Sequence, residues 1–357
     1  MQYHFRHKAQ GTRHKHWQTY VLNLSNNLIR QVFTRSLFIF SKLSLKSPKT
    51  ALLVSALLLL SSSLNLQANG KKSRTGNRSD AIMLQSPVIN YVRPNLFLDE
   101  AGPADIWNHD KGFLVQSINP ESYSLNFPTT GAHNLYFDLL ISGVDINKLT
   151  WEPVTHEGIT ATVTNVVAND IWIPKEDKRQ VVARVKLTGP EAKNQWDNPN
   201  PRRITVPRLP QTFELVGRDI KTNDEVVKYG FVLRQWFVNR LVGSPSSQKA
   251  WCNSLGYRLA RVRDLTNAKC GVDSIFPCIN GVDGATPSSR VNRYMRHIGA
   301  GFFTEWGVLN FYADAGFGIH GYLTSDAAGS DQFRIRSYDG GVFNFDSASN
   351  SAICTAP

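Results

Sequence analysis

The first part of this 357-residue chain lacks acidic residues: no Asp or Glu precedes Asp80. Residues 1–79 contain 13 Lys and Arg, whereas the rest of the chain contains 27 Lys and Arg against 28 Asp and Glu. The formal net charge of +12 therefore belongs to the N-terminal segment, and the remainder carries a net charge of −1. Since a nucleic-acid-binding domain needs a basic surface of its own, the sequence predicts no nucleic-acid partner.

The chain also lacks an apolar run of about 20 residues, the length that a transmembrane helix needs. Residues 50–60 form a shorter apolar stretch, which follows three lysines and precedes small polar residues. This order is typical of a secretory signal, with cleavage near Ala68. We therefore predict an extended leader over 1–68, a polar linker over 69–80, and export to the outer-membrane surface or the extracellular space. Two alternatives stay open: a retained N-terminal anchor, and a start codon assigned too far upstream.

Cysteine is scarce, and all of it lies in the last third of the chain: Cys252, Cys270, Cys278 and Cys354. An even number of cysteines in one segment behind an export signal is typical of a disulfide framework. Zinc binding is the competing interpretation, but the segment has no CxxC pair and only two nearby histidines, His297 and His320. Four cysteines allow three pairings, and spacing does not choose among them.

Catalytic motifs are missing as well. The chain has no nucleotide-binding glycine loop, no HExxH and no GxSxG. Five histidines are scattered singly among β-type segments: His109, His133, His156, His297 and His320. We therefore predict that the protein is not an enzyme and that it uses no cofactor and no metal.

What is present in the middle of the chain is alternation of apolar and polar residues in short runs separated by turn residues. These runs cover residues 122–127, 135–141, 160–167, 180–187 and 212–216. A further run at 204–206 is cut off by Pro207, which suits an edge strand. Strands at this spacing predict an antiparallel β-sandwich.

The last part of the chain mixes helix and strand signals. Ser and Gly residues placed as caps predict short helices over 248–255, 262–268 and 290–298. Strand-like runs follow at 321–326, 332–336, 342–345 and 351–355, with a Tyr-Asp-Gly-Gly turn between the second and the third. The fold class is therefore mostly β, with a C-terminal α+β module.

Two segments resemble known bacterial domains. Residues 180–190, which end in Thr-Gly-Pro, resemble an immunoglobulin-like domain of enterobacterial adhesins. The C-terminal module is similar to the C-type-lectin-like tip domain of invasin and intimin adhesins in the order of these features: the Trp251-Cys252 helix, Gly-Tyr-Arg-Leu at 256–259, Asp-Leu-Thr at 264–266, Leu-Thr-Ser-Asp at 323–326 and Ala-Ile-Cys at 352–354.

The resemblance implies an immunoglobulin-like β-sandwich over 81–240 and a C-type-lectin-like domain over 241–357. It also implies one disulfide between Cys252 and Cys354 and another between Cys270 and Cys278. The module departs from the pattern in two respects. Leu-Ala-Arg stands at 259–261 where the family often has Leu-Pro-Thr, and the Glu-Pro-Asn and Trp-Asn-Asp triplets of calcium-dependent lectins are absent. Calcium and sugar binding are therefore not carried over.

Aromatic residues in a turn-rich stretch of the module are candidates for receptor contacts, because Tyr and Trp on a supported loop are favoured interface anchors. The alternative is that they pack in the core. The receptor-binding candidates, including polar neighbours, are Trp306, Asn310, Phe311, Tyr312, Asp326 and Asp331.

These observations predict an exported adhesin of the invasin type that binds a receptor, protein or glycan, on a host or neighbouring cell. Contact with a membrane is expected only through the leader or a partner anchor. One alternative is a freely secreted glycan- or protein-binding subunit. The other is a secreted enzyme of the lectin-like superfamily.

Overall fold

The computed structural model describes residues 86–97, 100–241, 243–273, 278, 281–329, 331–344 and 351–356. All of them belong to one compact unit, Ile82–Pro357. The predicted leader, 1–68, and the predicted linker, 69–80, lie outside the described residues. No helix within the described ranges is long and apolar enough to cross a membrane.

The strands are numbered along the chain as β1 Val88–Arg93, β2 Trp107–Asn108, β3 Gly112–Leu114, β4 Thr130–Ala132, β5 Tyr136–Ser142, β6 Leu149–Trp151, β7 Val154–His156, β8 Ile159–Val167, β9 Val181–Thr188, β10 Gln211–Asp219, β11 Glu225–Leu233, β12 Gln235–Arg240, β13 Arg258–Leu259, β14 Gly321–Ala328, β15 Asp331–Arg336, β16 Val342–Phe343 and β17 Ser351–Thr355. The α-helices are α1 Pro245–Leu255, α2 Val262–Leu265 and α3 Phe302–Trp306. Short 3-10 turns cover Pro120–Leu125, Ile146–Lys148, Lys193–Gln195, Leu309–Phe311 and Ala313–Ala315.

Two antiparallel sheets form a sandwich in the first part of the unit. One has the strand order β2-β3-β1-β5-β9-β8-β7 and the other β11-β10-β6. The sheets pack face to face: the ring of Phe137 in β5 lies 6.2 Å from Tyr229 and 6.0 Å from Phe231, both in β11. Phe213 and Leu215 in β10 are fully buried and alternate with more exposed neighbours. The predicted fold class, mostly β with a few helices, is confirmed.

The third sheet has the order β16-β15-β14-β17-β12-β4, and β13 pairs with β17. β12 pairs antiparallel with β17 and parallel with β4. Both β4 and β12 come from residues before 241, so this sheet combines strands from either side of the predicted domain boundary. The division at 240 stays a prediction.

Two predicted strands do not form. Residues 122–127 fall largely in the 3-10 turn Pro120–Leu125, where Asn119 accepts a hydrogen bond from the backbone of Glu121. Tyr123 in this turn covers β11, and a Cβ atom added at Gly230 would lie 2.0 Å from its ring. Residues 204–206 are irregular.

One predicted helix forms, one is short and one is absent. The first is α1, which Ser244 caps through a bond from the backbone N–H of Ser247 and which ends at Gly256 in the left-handed region. The second, α2, stops at Leu265 because Thr266 is extended. Residues 290–298 are not helical, because they hydrogen-bond to other segments instead of to one another.

Candidate functional site

Two of the predicted receptor contacts lie in the core. The side chains of Trp306 and Tyr312 are fully buried. The indole N–H of Trp306 donates to the carbonyl of Thr130 at 3.0 Å, and the Tyr312 hydroxyl accepts from the backbone N–H of Asn95 at 2.7 Å. The expectation that Trp306 and Tyr312 contact a receptor is therefore corrected: tertiary packing turns these aromatics inward.

The other four candidates occupy separate places. Asn310 and Phe311 are half-buried, and the Phe311 ring packs edge-on against Phe97 at 4.9 Å. Asp326 accepts a bond from the backbone N–H of Val262 at 2.7 Å, so it caps the start of α2. Asp331 is exposed where β15 begins. The candidates therefore do not form one contact surface.

All four cysteines are paired, as the resemblance implied. Cys252 in α1 is bonded to Cys354 in β17, and Cys270 is bonded to Cys278. The first pair is fully buried and closes a loop of 102 residues between the start and the end of the C-terminal part. Closing a loop of this length stabilises the fold by about 4.7 kcal/mol in the chain-entropy model.

A buried carboxylate joins α3 to β4, the edge strand of the third sheet. Glu305 in α3 accepts bonds from the backbone N–H groups of Thr129, Thr130 and Gly299 at 2.8 to 3.1 Å, and from both threonine hydroxyls. Burial raises the pKa of Glu305 from its ordinary value, and these hydrogen bonds lower it in part. The hydrogen-bonded carboxylate of Glu305 holds α3 against β4 and thereby fixes the positions of the segments next to them.

The described residues include a half-open cleft of about 370 Å³. Its apolar floor consists of Leu96 and Tyr294, and its polar rim of Glu100, His109, Arg293, Tyr338 and Asp339. Pockets of this size are typical of small-molecule sites.

Backbone bonds bring three distant segments together around this cleft. The N–H of Tyr294 donates to the carbonyl of Asp339 at 2.8 Å, and the N–H of Arg296 donates to the carbonyl of Glu100 at 3.2 Å. The backbone N–H groups of Tyr294 and Arg296 thus donate to two other segments and not to carbonyls one helical turn earlier. This explains why the predicted helix over 290–298 does not form.

A buried arginine stiffens the floor. The guanidinium of Arg296 lies 4.7 Å from the centre of the Trp107 ring and 5.4 Å from that of Tyr294, within the range of cation–π contacts. It also donates to the carbonyls of Glu305 and Asn95. Arg296 therefore contacts both Tyr294 in the floor of the cleft and the backbone carbonyl of Glu305.

The charged groups of the rim are paired. Arg293 lies 3.1 Å from Glu100, and the guanidinium of Arg336 makes a two-pronged contact with Asp339, with Nε donating at 2.6 Å. The Tyr338 side chain is 41% exposed, whereas Tyr294 is 1% exposed. The cleft thus offers one accessible aromatic ring beside positively charged hydrogen-bond donors and negatively charged acceptors.

Sequence reasoning identified the turn at 338–341 but not the cleft. Its residues come from three stretches near positions 100, 293 and 338, and no local motif links them. Within the described ranges, no group of three or more His, Cys, Asp or Glu residues could hold a metal ion.

No protein-family model matches the chain, and no curated protein matches it. Among solved structures, the crystal structure of invasin, a bacterial integrin-binding protein, is similar with a TM-score of 0.42 and 13% identity. The match covers 76% of this chain and 39% of that chain, so this chain spans less than half of that structure.

Proposed function

We propose that the chain is an exported adhesin-type protein that binds a receptor on a host or neighbouring cell through its C-terminal part. The observation that carries the proposal is the half-open cleft whose rim presents the exposed ring of Tyr338. A tyrosine on a supported turn is a typical interface anchor, because it contributes a large contact area with few rotatable bonds.

The arrangement around the cleft supports this proposal. The disulfide between Cys252 and Cys354 closes the C-terminal part, and Glu305 holds α3 to β4 of the third sheet. A binding site on such a rigid support loses little conformational entropy when its ligand binds. Two disulfides also support export, because disulfides persist in oxidising compartments.

The test is binding of the fluorescently labelled, oxidised full-length protein to cultured epithelial and bacterial cells, measured by flow cytometry. We expect saturable binding that Tyr338→Ala weakens about tenfold or more, since truncation of an aromatic interface anchor costs about 2 kcal/mol. Ile319→Ala is the matched control, because Ile319 is 64% exposed in the same part of the chain and does not line the cleft. The absence of saturable binding to any cell type would contradict the proposal.

A further inference from the structure

We infer that the cleft takes a neutral glycan, a ligand of uncharged sugar rings, without calcium. This inference rests on the proposed function, because it names the ligand class of the same cleft. It is drawn from the chemistry of the rim and the floor.

The first observation is an exposed aromatic side chain on a tightly packed turn. Tyr338 lies in the turn between β15 and β16, which also contains Gly340 with a φ of +69°. A Cβ atom added at Gly340 would lie 2.7 Å from both Thr266 and Tyr294, so the turn packs tightly against its support. The backbone of the turn is therefore fixed, and it places the 41%-exposed side chain of Tyr338 at the cleft before any ligand arrives. The apolar C–H face of a sugar ring can stack on such a ring, while the hydroxyl groups point to polar neighbours.

The second observation is the pairing of the rim charges. Each carboxylate of the rim already has an arginine: Glu100 has Arg293, and Asp339 has Arg336. Guanidinium groups only donate hydrogen bonds and carboxylates only accept them, whereas a sugar hydroxyl does both. The two arginine–carboxylate pairs therefore offer both donors and acceptors to the hydroxyl groups of a sugar.

The same pairing disfavours a charged ligand. A charge that enters the cleft loses part of its hydration, and it gains no unpaired opposite charge from the two arginine–carboxylate pairs in return. Asp273 lies 3.6 Å from Arg293 and adds a further negative charge beside the cleft, so an acidic sugar meets repulsion. A neutral glycan avoids both penalties.

The experiment is saturation-transfer NMR on the oxidised full-length protein in the presence of EDTA. The neutral probes are lactose, N-acetyllactosamine and chitobiose, and the charged probe is sialyllactose. We expect transfer to at least one neutral probe, and weaker transfer to sialyllactose than to lactose. No transfer to any neutral probe, or transfer that EDTA abolishes, would overturn the inference.

Three variants locate the site. Tyr338→Ala is expected to weaken binding of the neutral probe about tenfold or more, and Tyr338→Phe, which keeps the ring, only a few fold. Ile319→Ala is expected to bind like the wild type. Equal binding by the wild type and Tyr338→Ala would remove the cleft as the glycan site. Thermal melting of each variant separates a loss of binding from a loss of folding.

Cell binding after sialidase treatment, and then after periodate oxidation strong enough to cleave the ring diols of neutral sugars, separates this inference from the proposed function. If binding survives sialidase but periodate then abolishes it, both stand. If treated cells bind as well as untreated cells, the receptor is not a glycan and the inference fails, while the adhesin proposal stands. If the protein binds a neutral probe but no cell, the adhesin proposal fails and the ligand class stands.

Discussion

The carboxylate of Glu305 accepts hydrogen bonds from both the backbone N–H and the hydroxyl of Thr130, a residue 175 positions earlier in the chain. Glu305 is fully buried, and Thr130 lies in β4 at the edge of the C-terminal sheet. This contact joins α3 to the edge strand of that sheet.

Glu305→Gln should lower the free energy of unfolding by about 2–3 kcal/mol, because an amide NH₂ would face N–H and O–H donors that now bond to carboxylate oxygens. Urea unfolding followed by tryptophan fluorescence measures the change. The matched control is Glu225→Gln, whose side chain is 45% exposed beside Lys228 and should change stability by less than about 0.5 kcal/mol. Equal losses of unfolding free energy for the two substitutions would show that the buried hydrogen bonds of Glu305 stabilise the fold no more than an exposed glutamate does.

The stability difference between the wild type and Glu305→Gln should also depend on pH. Burial raises the pKa of Glu305 from its ordinary value of 4.5, so the folded state takes up a proton at higher pH than the unfolded state. The wild type should therefore gain stability relative to the variant as pH falls through the folded pKa, and this gain should level off below about 4.5. Urea titrations between pH 7 and pH 4 test the sign. A gain that grows as pH rises would contradict it.

Loss of the long-range disulfide should destabilise the protein more than loss of the local one. In the chain-entropy model, closure of a 102-residue loop contributes about 4.7 kcal/mol and closure of an eight-residue loop about 2.5 kcal/mol. The double variants Cys252→Ala with Cys354→Ala, and Cys270→Ala with Cys278→Ala, remove one bridge each without leaving a free thiol. Thermal melting without reductant should give the larger decrease for the first pair. Peptide mass spectrometry of the unreduced wild type checks the pairing, and any other pairing refutes it.

Trp306→Ala should unfold or strongly destabilise the protein, by about 3–5 kcal/mol, because the side chain is fully buried and packs against Phe127 at 4.9 Å. Phe311→Ala is the natural comparison, since Phe311 lies five residues later and is only half-buried. Its cost should be clearly smaller. A stable, well-folded Trp306→Ala protein would contradict the burial of this residue.

Part of the fold follows from local signals. The alternation at 160–167 and 180–187 predicted β8 and β9 to within one residue at each end, because one face of each strand packs on the core. The cap signals around α1 worked for a similar reason: Ser244 and Gly256 act on backbone groups within a few residues of themselves. The mostly-β fold class and helix α1 thus depend on residues that lie close together in the sequence.

What the local pattern could not decide is the direction in which the aromatics of 306–312 face. Trp306 and Tyr312 stand in a Gly- and Asn-rich stretch that suits an exposed loop, yet Thr130 and Asn95 supply the hydrogen-bond partners that make burial favourable. These partners lie more than 170 residues earlier. Only the tertiary structure brings them there.

The sequence by itself determined the elements that depend on residues close along the chain: the strand-rich middle, the helix around Cys252 and the turn at Tyr338. Tertiary structure decided the rest. The segment 290–298 has helix caps, but its N–H groups donate to Glu100, Asp339 and other distant carbonyls. The cleft exists for the same physical reason, because backbone hydrogen bonds between segments distant in sequence hold Glu100, Arg293 and Tyr338 around one space.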